Sequence, residues 1–169
     1  LIMFSPQDRV SRRLSLPGQK GNRRLQPRWS PDGRYLAYVD ATALDSQVSK
    51  IWILRLEDNE AIRVTDGLSE DWSPDWSADG RSLFFVSNRG GAMDLWDQPL
   101  DQNARPDGAP RAVTTGVVMR TAVFSPDRTK LAYSRGRLAG NLWRVPILSD
   151  RPATWTDAER ILHNPPSAP

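Results

Sequence analysis

The sequence predicts an all-β chain: about three blades of a β-propeller, each a four-stranded antiparallel sheet. Three observations predict it. An aromatic residue followed by Ser, Pro or Ala, and Asp recurs at Trp29, Trp76 and Phe124, with spacings of 47 and 48 residues. Two further sequence elements keep the same beat. No stretch shows the 3.6-residue apolar periodicity of an amphipathic helix. A repeat of roughly 40 to 50 residues is the span of one blade.

The blocks are Trp29-Ser30-Pro31-Asp32-Gly33, Trp76-Ser77-Ala78-Asp79-Gly80 and Phe124-Ser125-Pro126-Asp127. Each ends a short strand and turns into the next: Tyr35–Val39, Ser82–Val86 and Leu131–Ser134, runs rich in aromatic and β-branched residues. In the turn, Pro presets φ, Asp bonds the local backbone, and Gly takes the positive-φ position without a Cβ clash. The third copy has Arg128-Thr129 where Gly fits, so its turn must be longer or strained. The second element is Ile51-Trp52-Ile53-Leu54, Leu95-Trp96-Asp97-Gln98 and Leu142-Trp143-Arg144-Val145. The third is Ala61–Thr65, Arg111–Thr115 and Arg160–His163, with Ser11–Ser15 as the same element of a preceding unit.

These elements divide the chain into an outer strand of a preceding blade with a basic lead-in (residues 1–23), three blades (24–67, 68–116 and 117–164) and a tail (165–169). The repeated aromatics Trp29, Trp76, Phe124, Trp52, Trp96 and Trp143 are expected to fill the space between neighbouring blades. Asp32, Gly33, Asp79, Gly80 and Asp127 are expected to build the turns. Trp72 and Trp155 stand outside the repeat and are expected to act locally.

Composition narrows the function. The chain has no cysteine and one histidine, His163. That removes disulfides, thiol catalysis and cysteine-ligated metal, and leaves any Ser-His-Asp triad to one residue near the C-terminus. Asp71, Asp75 and Asp79 recur every four residues but fail the spacing of a calcium loop. The glycine-rich and nucleophile-elbow motifs are absent. The chain is therefore expected to have no metal, no cofactor and no catalytic activity.

No apolar run is long enough to cross a membrane as a helix. The net charge is +3, yet residues 1–28 alone carry seven basic side chains and one acid. That segment reads as a solvated edge. Aromatic–basic pairs such as Trp143-Arg144 follow the strand beat, so they read as sheet chemistry and not as a nucleic-acid platform.

The three Trp/Phe-Ser-Pro/Ala-Asp blocks, the Ser87-Asn88-Arg89-Gly90-Gly91 link and the Leu-Trp strands resemble the bacterial TolB-type, WD40-like (PD40) propeller repeat over roughly residues 8–164. The resemblance implies the propeller fold. For function it implies three possibilities: a protein-binding envelope propeller, the sensor half of a transcription regulator or receptor-like kinase, or the gating propeller of a prolyl-oligopeptidase-like serine peptidase. The leading expectation is a non-catalytic module that binds a protein or peptide. The missing start Met and the extra outer strand make the chain read as an excerpt of a longer bacterial protein. The alternative is two copies closing one six-bladed ring, each supplying half. Absence of cysteine suits either periplasm or cytoplasm.

In such blades the strand carrying the block aromatic is expected to be innermost, and the loop entering it to rim a channel. Alignment on the aromatics brings Arg23-Arg24, Glu70-Asp71 and Val118-Met119 into equivalence. The candidate rim is thus Arg23, Arg24, Glu70, Asp71, Trp72, Met119 and Arg120. It offers either inter-blade ion pairs or a surface that captures a peptide.

Overall fold

The computed structural model describes residues 1–14, 16, 22–41 and 48–135, and the backbone of 143–144 and 159–160. Trp155, His163 and the 165–169 tail lie outside the described residues, as does the side chain of Trp143. The chain forms two units, Leu1–Gly136 and Arg137–Pro169. No helix occurs among the described residues.

In the first unit, β1 (Ile2–Ser5) and β2 (Val10–Arg13) form an antiparallel hairpin. The first blade is β3 (Arg23–Trp29), β4 (Tyr35–Ala41), β5 (Ser49–Arg55) and β6 (Ala61–Arg63), in that spatial order. The second repeats it with β7 (Asp71–Trp76), β8 (Ser82–Ser87), β9 (Asp94–Pro99) and β10 (Arg111–Ala112). The third begins with β11 (Met119–Phe124) and β12 (Leu131–Arg135). In the second unit, β13 (Trp143–Arg144) pairs antiparallel with β14 (Glu159–Arg160). The repeat preserves register: Trp52 faces Arg63, Trp96 faces Ala112, and Trp143 faces Arg160.

Alternation along each strand builds two kinds of face. On β4, Tyr35, Ala37 and Val39 join Ile51, Ile53 and Ile62, and meet Trp76, Leu83, Phe85 and Leu100 of the second blade. The intervening Leu36 and Tyr38 join Leu54 and face the hairpin through Leu14 and Met3. On β8, Val86 and Phe84 point the other way, onto Met119, Ala122 and Phe124 of the third blade. Each fully buried aliphatic or aromatic side chain contributes about 1.5–3 kcal/mol, so a few large residues per face suffice to stack thin sheets.

One expectation needs correction. Trp76 is 1% exposed, but its repeat equivalent Trp29 is 51% exposed. Both stand at the end of a first strand. Trp76 lies against Tyr35, with ring centroids 6.2 Å apart, and its indole Nε1–H donates to the Arg28 carbonyl at 3.1 Å. The hairpin β1–β2 covers the Leu36–Tyr38–Leu54 face, and among the described residues nothing buries Trp29 in the same way. Trp52 and Trp96 are part-buried against the cores described above, Trp52 on the hairpin side and Trp96 on the side of the second blade.

The three turns share one hydrogen-bond pattern. Ser30 Oγ–H donates to Asp32 Oδ1 at 2.6 Å while accepting from Tyr35 N at 2.9 Å, and Arg34 N donates to the same carboxylate oxygen at 3.0 Å. Ser77–Asp79–Ser82 and Ser125–Asp127–Lys130 repeat it. Gly33 and Gly80 adopt φ of 71° and 70°, and Arg128 adopts 60° in a turn of the same length. The third turn is therefore strained and not lengthened. The strain costs about 1–2 kcal/mol for a residue with a Cβ. It is offset where the Arg128 guanidinium comes 2.8 Å from Asp75 Oδ1 and lies over the Phe124 ring.

These turns make stability depend on acid. The Ser30 hydroxyl, chiefly, holds the Asp32 carboxyl down at about 2, and Ser77 and Ser125 lower Asp79 and Asp127 in the same way. A carboxylate whose folded pKa lies below its unfolded one leaves the unfolded chain holding more protons in between. Stability is then present above the ordinary carboxylate range and is lost as pH falls through the folded values. Asp32→Asn combined with Asp79→Asn is expected to flatten the fall of Tm between about pH 5 and pH 2. An unchanged slope in thermal melts of the double variant would show that these turns do not carry the acid sensitivity.

Candidate functional site

The structure separates the candidate rim residues into two sets. Asp71 is fully buried, and its Oδ1 accepts from Arg89 Nη2 at 3.0 Å. The Arg89 guanidinium in turn stacks on Phe85 and Trp96. Met119 is 1% exposed and belongs to the core between the second and third blades. Arg23 is exposed at the start of β3. Arg24 lies 3.6 Å from Asp40 of the adjacent strand and lines a separate hollow with Leu1, Arg13 and Asn22. Two charged pairs at these positions run within a blade: Arg24 with Asp40, and Asp71 with Arg89.

Glu70, Trp72 and Arg120 do converge. With Gln26, Met93 and Thr121 they line a cleft of about 310 Å³. Gln26, Trp72, Arg120 and Thr121 come from the inner strands of all three blades, Glu70 and Met93 from the residues just before β7 and β9, and a shared irregularity shapes the strands. The ladder slips between Leu25 and Arg28 in β3, between Trp72 and Asp75 in β7, and between Met119 and Thr121 in β11. Gln26, Ser73 and Val118 carry positive φ of 52°, 51° and 61° at or beside these slips. A bulge re-aims the side chains around it and leaves backbone groups out of the ladder. Pro27 and Pro74 sit inside two of the bulges, where a residue without an N–H costs the sheet nothing.

The cleft is held rigidly. Gln26 Oε1 accepts from Ser73 N at 2.7 Å, tying the first bulge to the second. Phe124 N donates to Asp75 Oδ2 at 3.3 Å, tying the second strand to the third. Glu70 N donates to Asn88 Oδ1 at 2.9 Å, and Trp72 Nε1–H donates to Glu70 Oε1 at 2.9 Å. Asp94, next to Met93 in sequence, fixes the segment leading into β11. It accepts from Thr114 Oγ1, Gly116 N and Val117 N at 3.0, 2.7 and 2.9 Å. Burial alone would raise this carboxyl, but the Val117, Gly116 and Thr114 hydrogen bonds outweigh it and lower the pKa.

No group of three or more potential metal-ligating side chains occurs among the described residues. Asp71, Asp75 and Asp79 each have a separate protein partner: Arg89, Arg128 and Ser77. Sequence reasoning missed Gln26, Met93 and Thr121. The mid-strand prolines at 27 and 74 were the available signal for the bulges.

Stacked four-stranded antiparallel blades, joined at their inner strands around a shared cleft, define a β-propeller domain. The sequence profile described as "PD40: TolB beta propeller domain" matches residues 11–150, and the chain belongs to that family. Among curated relatives, the uncharacterized protein Atu1656 of Agrobacterium fabrum is 32% identical over 94 residues, 51% of this chain and 31% of that protein. The uncharacterized peptidase YuxL of Bacillus subtilis is 38% identical over 68 residues, 38% of this chain and 10% of that one. Of solved structures, TolB from Acinetobacter baumannii superposes with a TM-score of 0.65 at 18% identity, covering 83% of this chain and 33% of its own. The chain thus spans a third or less of the length of each.

Proposed function

We propose that this chain is a non-catalytic recognition segment of a propeller, and that it binds an extended protein or peptide segment in the inner-strand cleft. One observation carries the reading: bulges in three successive inner strands deliver Gln26, Trp72, Arg120 and Thr121 to one cleft. Bulged strands offer unladdered backbone groups to a peptide main chain, and the side chains around them supply selectivity. The absence of cysteine and the single His163 support a role in binding over chemistry.

A second reading is favoured by the likeness to YuxL. In it, the same cleft passes peptide to a hydrolase domain elsewhere in a longer protein. Both readings need peptide in the cleft. Peptides selected from a random display library on the chain should lose affinity at least about tenfold against a Thr121→Trp variant, whose indole plugs the cleft; anchors in clefts of this kind are commonly worth more than 1 kcal/mol. Selected peptides that bind the plugged variant equally well would place recognition elsewhere.

A further inference from the structure

Glu70 has an unspent charge. Its Oε1 accepts from the Trp72 indole at 2.9 Å, yet among the described residues no cation stands in ion-pair range of it. Neighbouring acids at the same end of the blades are matched, Asp71 by Arg89 and Asp40 by Arg24. Both Glu70 and Trp72 are part-exposed and line the cleft. The backbone bond from Glu70 N to Asn88 and the indole bond together hold the carboxylate in place before any partner arrives.

We infer that the cleft selects a cationic side chain, Lys or Arg, on the bound peptide. The inference rests on the peptide-binding reading and adds the chemistry of the anchor. A carboxylate fixed beside an indole attracts a cation twice, through its charge and through the negative face of the ring. The Met93 thioether gives the aliphatic stem of such a side chain a polarizable wall. A volume of about 310 Å³ takes one long side chain with its flanking backbone.

The test uses the whole chain labelled with ¹⁵N at tryptophan. The indole N–H signal of Trp72 is identified by its loss in Trp72→Phe, and the other six tryptophans report folding. The probes are three acetylated, amidated Gly-Gly-X-Gly-Gly peptides in which X is arginine, citrulline or glutamate. The arginine peptide is expected to shift the Trp72 signal and to bind about tenfold tighter than its neutral citrulline isostere, the scale of a half-buried charge pair with a ring contact. Glu70→Gln keeps an acceptor for the indole and removes the charge, and is expected to abolish that preference while the other six signals stay put. Equal affinity for arginine and citrulline peptides overturns the cation site and leaves peptide binding standing. No shift with any of the three overturns both.

Discussion

Trp76→Ala is expected to destabilise the chain by about 3–5 kcal/mol, the usual cost of truncating a buried tryptophan. The side chain is 1% exposed and is the largest residue in the core between the first and second blades. Its removal deletes the contact with Tyr35 and leaves the Arg28 carbonyl without its indole donor. A domain's total stability is about 5–15 kcal/mol, so the variant should melt far below the parent or fail to fold. Trp29→Ala tests the account from the other side. It removes the same residue type at the equivalent repeat position, but from a half-exposed site. Urea midpoints should fall steeply for Trp76→Ala and by no more than about 1 kcal/mol equivalent for Trp29→Ala. Equal losses would mean that the blades do not pack as described.

Asp71→Ala is the second large effect. It strands the Arg89 guanidinium against Phe85 and Trp96 without its carboxylate, in a site where the arginine side chain is 17% exposed. Removing one partner of a buried pair typically costs about 3–5 kcal/mol, because the other charge stays desolvated. A paired substitution, Asp71→Ala with Arg89→Met, should recover a good part of that loss, since an apolar chain of similar length keeps the stacking and removes the stranded charge. Denaturation of the two variants checks this. A double variant less stable than Asp71→Ala alone would argue that Arg89 stabilises the blade independently of Asp71.

The repeat made most of the fold legible. The aromatics at 29, 76 and 124 mark three inner strands, and the tryptophans at 52, 96 and 143 mark strands whose partners share one register. The turn chemistry was legible too, except that the sequence left a longer and a strained third turn open and the φ of Arg128 decides for strain. What spacing cannot express is the direction of a side chain. Aligning Glu70-Asp71 with Val118-Met119 treated neighbours alike, yet a strand sends successive residues to opposite sides. Asp71 and Met119 accordingly go inward, while Glu70 and Arg120 reach the cleft. Bulges blur this further, because each slip moves later residues to the other face.

The first strand was illegible for a different reason. Leu1–Phe4 looks like a short apolar start, but Ile2–Ser5 becomes a strand by pairing with Val10–Arg13, which overlaps the Ser11–Ser15 element read as an outer strand of a preceding unit. Its pairing depends on a partner across a turn, where Ser5 Oγ–H donates to Asp8, and not on its own pattern. Trp29 was misjudged because burial at a repeat position depends on the neighbouring blade as well as on the position itself.

The proposed recognition at the inner-strand bulges can be mapped residue by residue. Mapping backbone amide shifts of the chain on titration with a display-selected peptide tests it most directly. The largest changes are expected at Gln26, Trp72, Ser73, Arg120 and Thr121. Changes concentrated at the Ser30–Arg34 and Ser77–Arg81 turns, at the far end of the same strands, would contradict it.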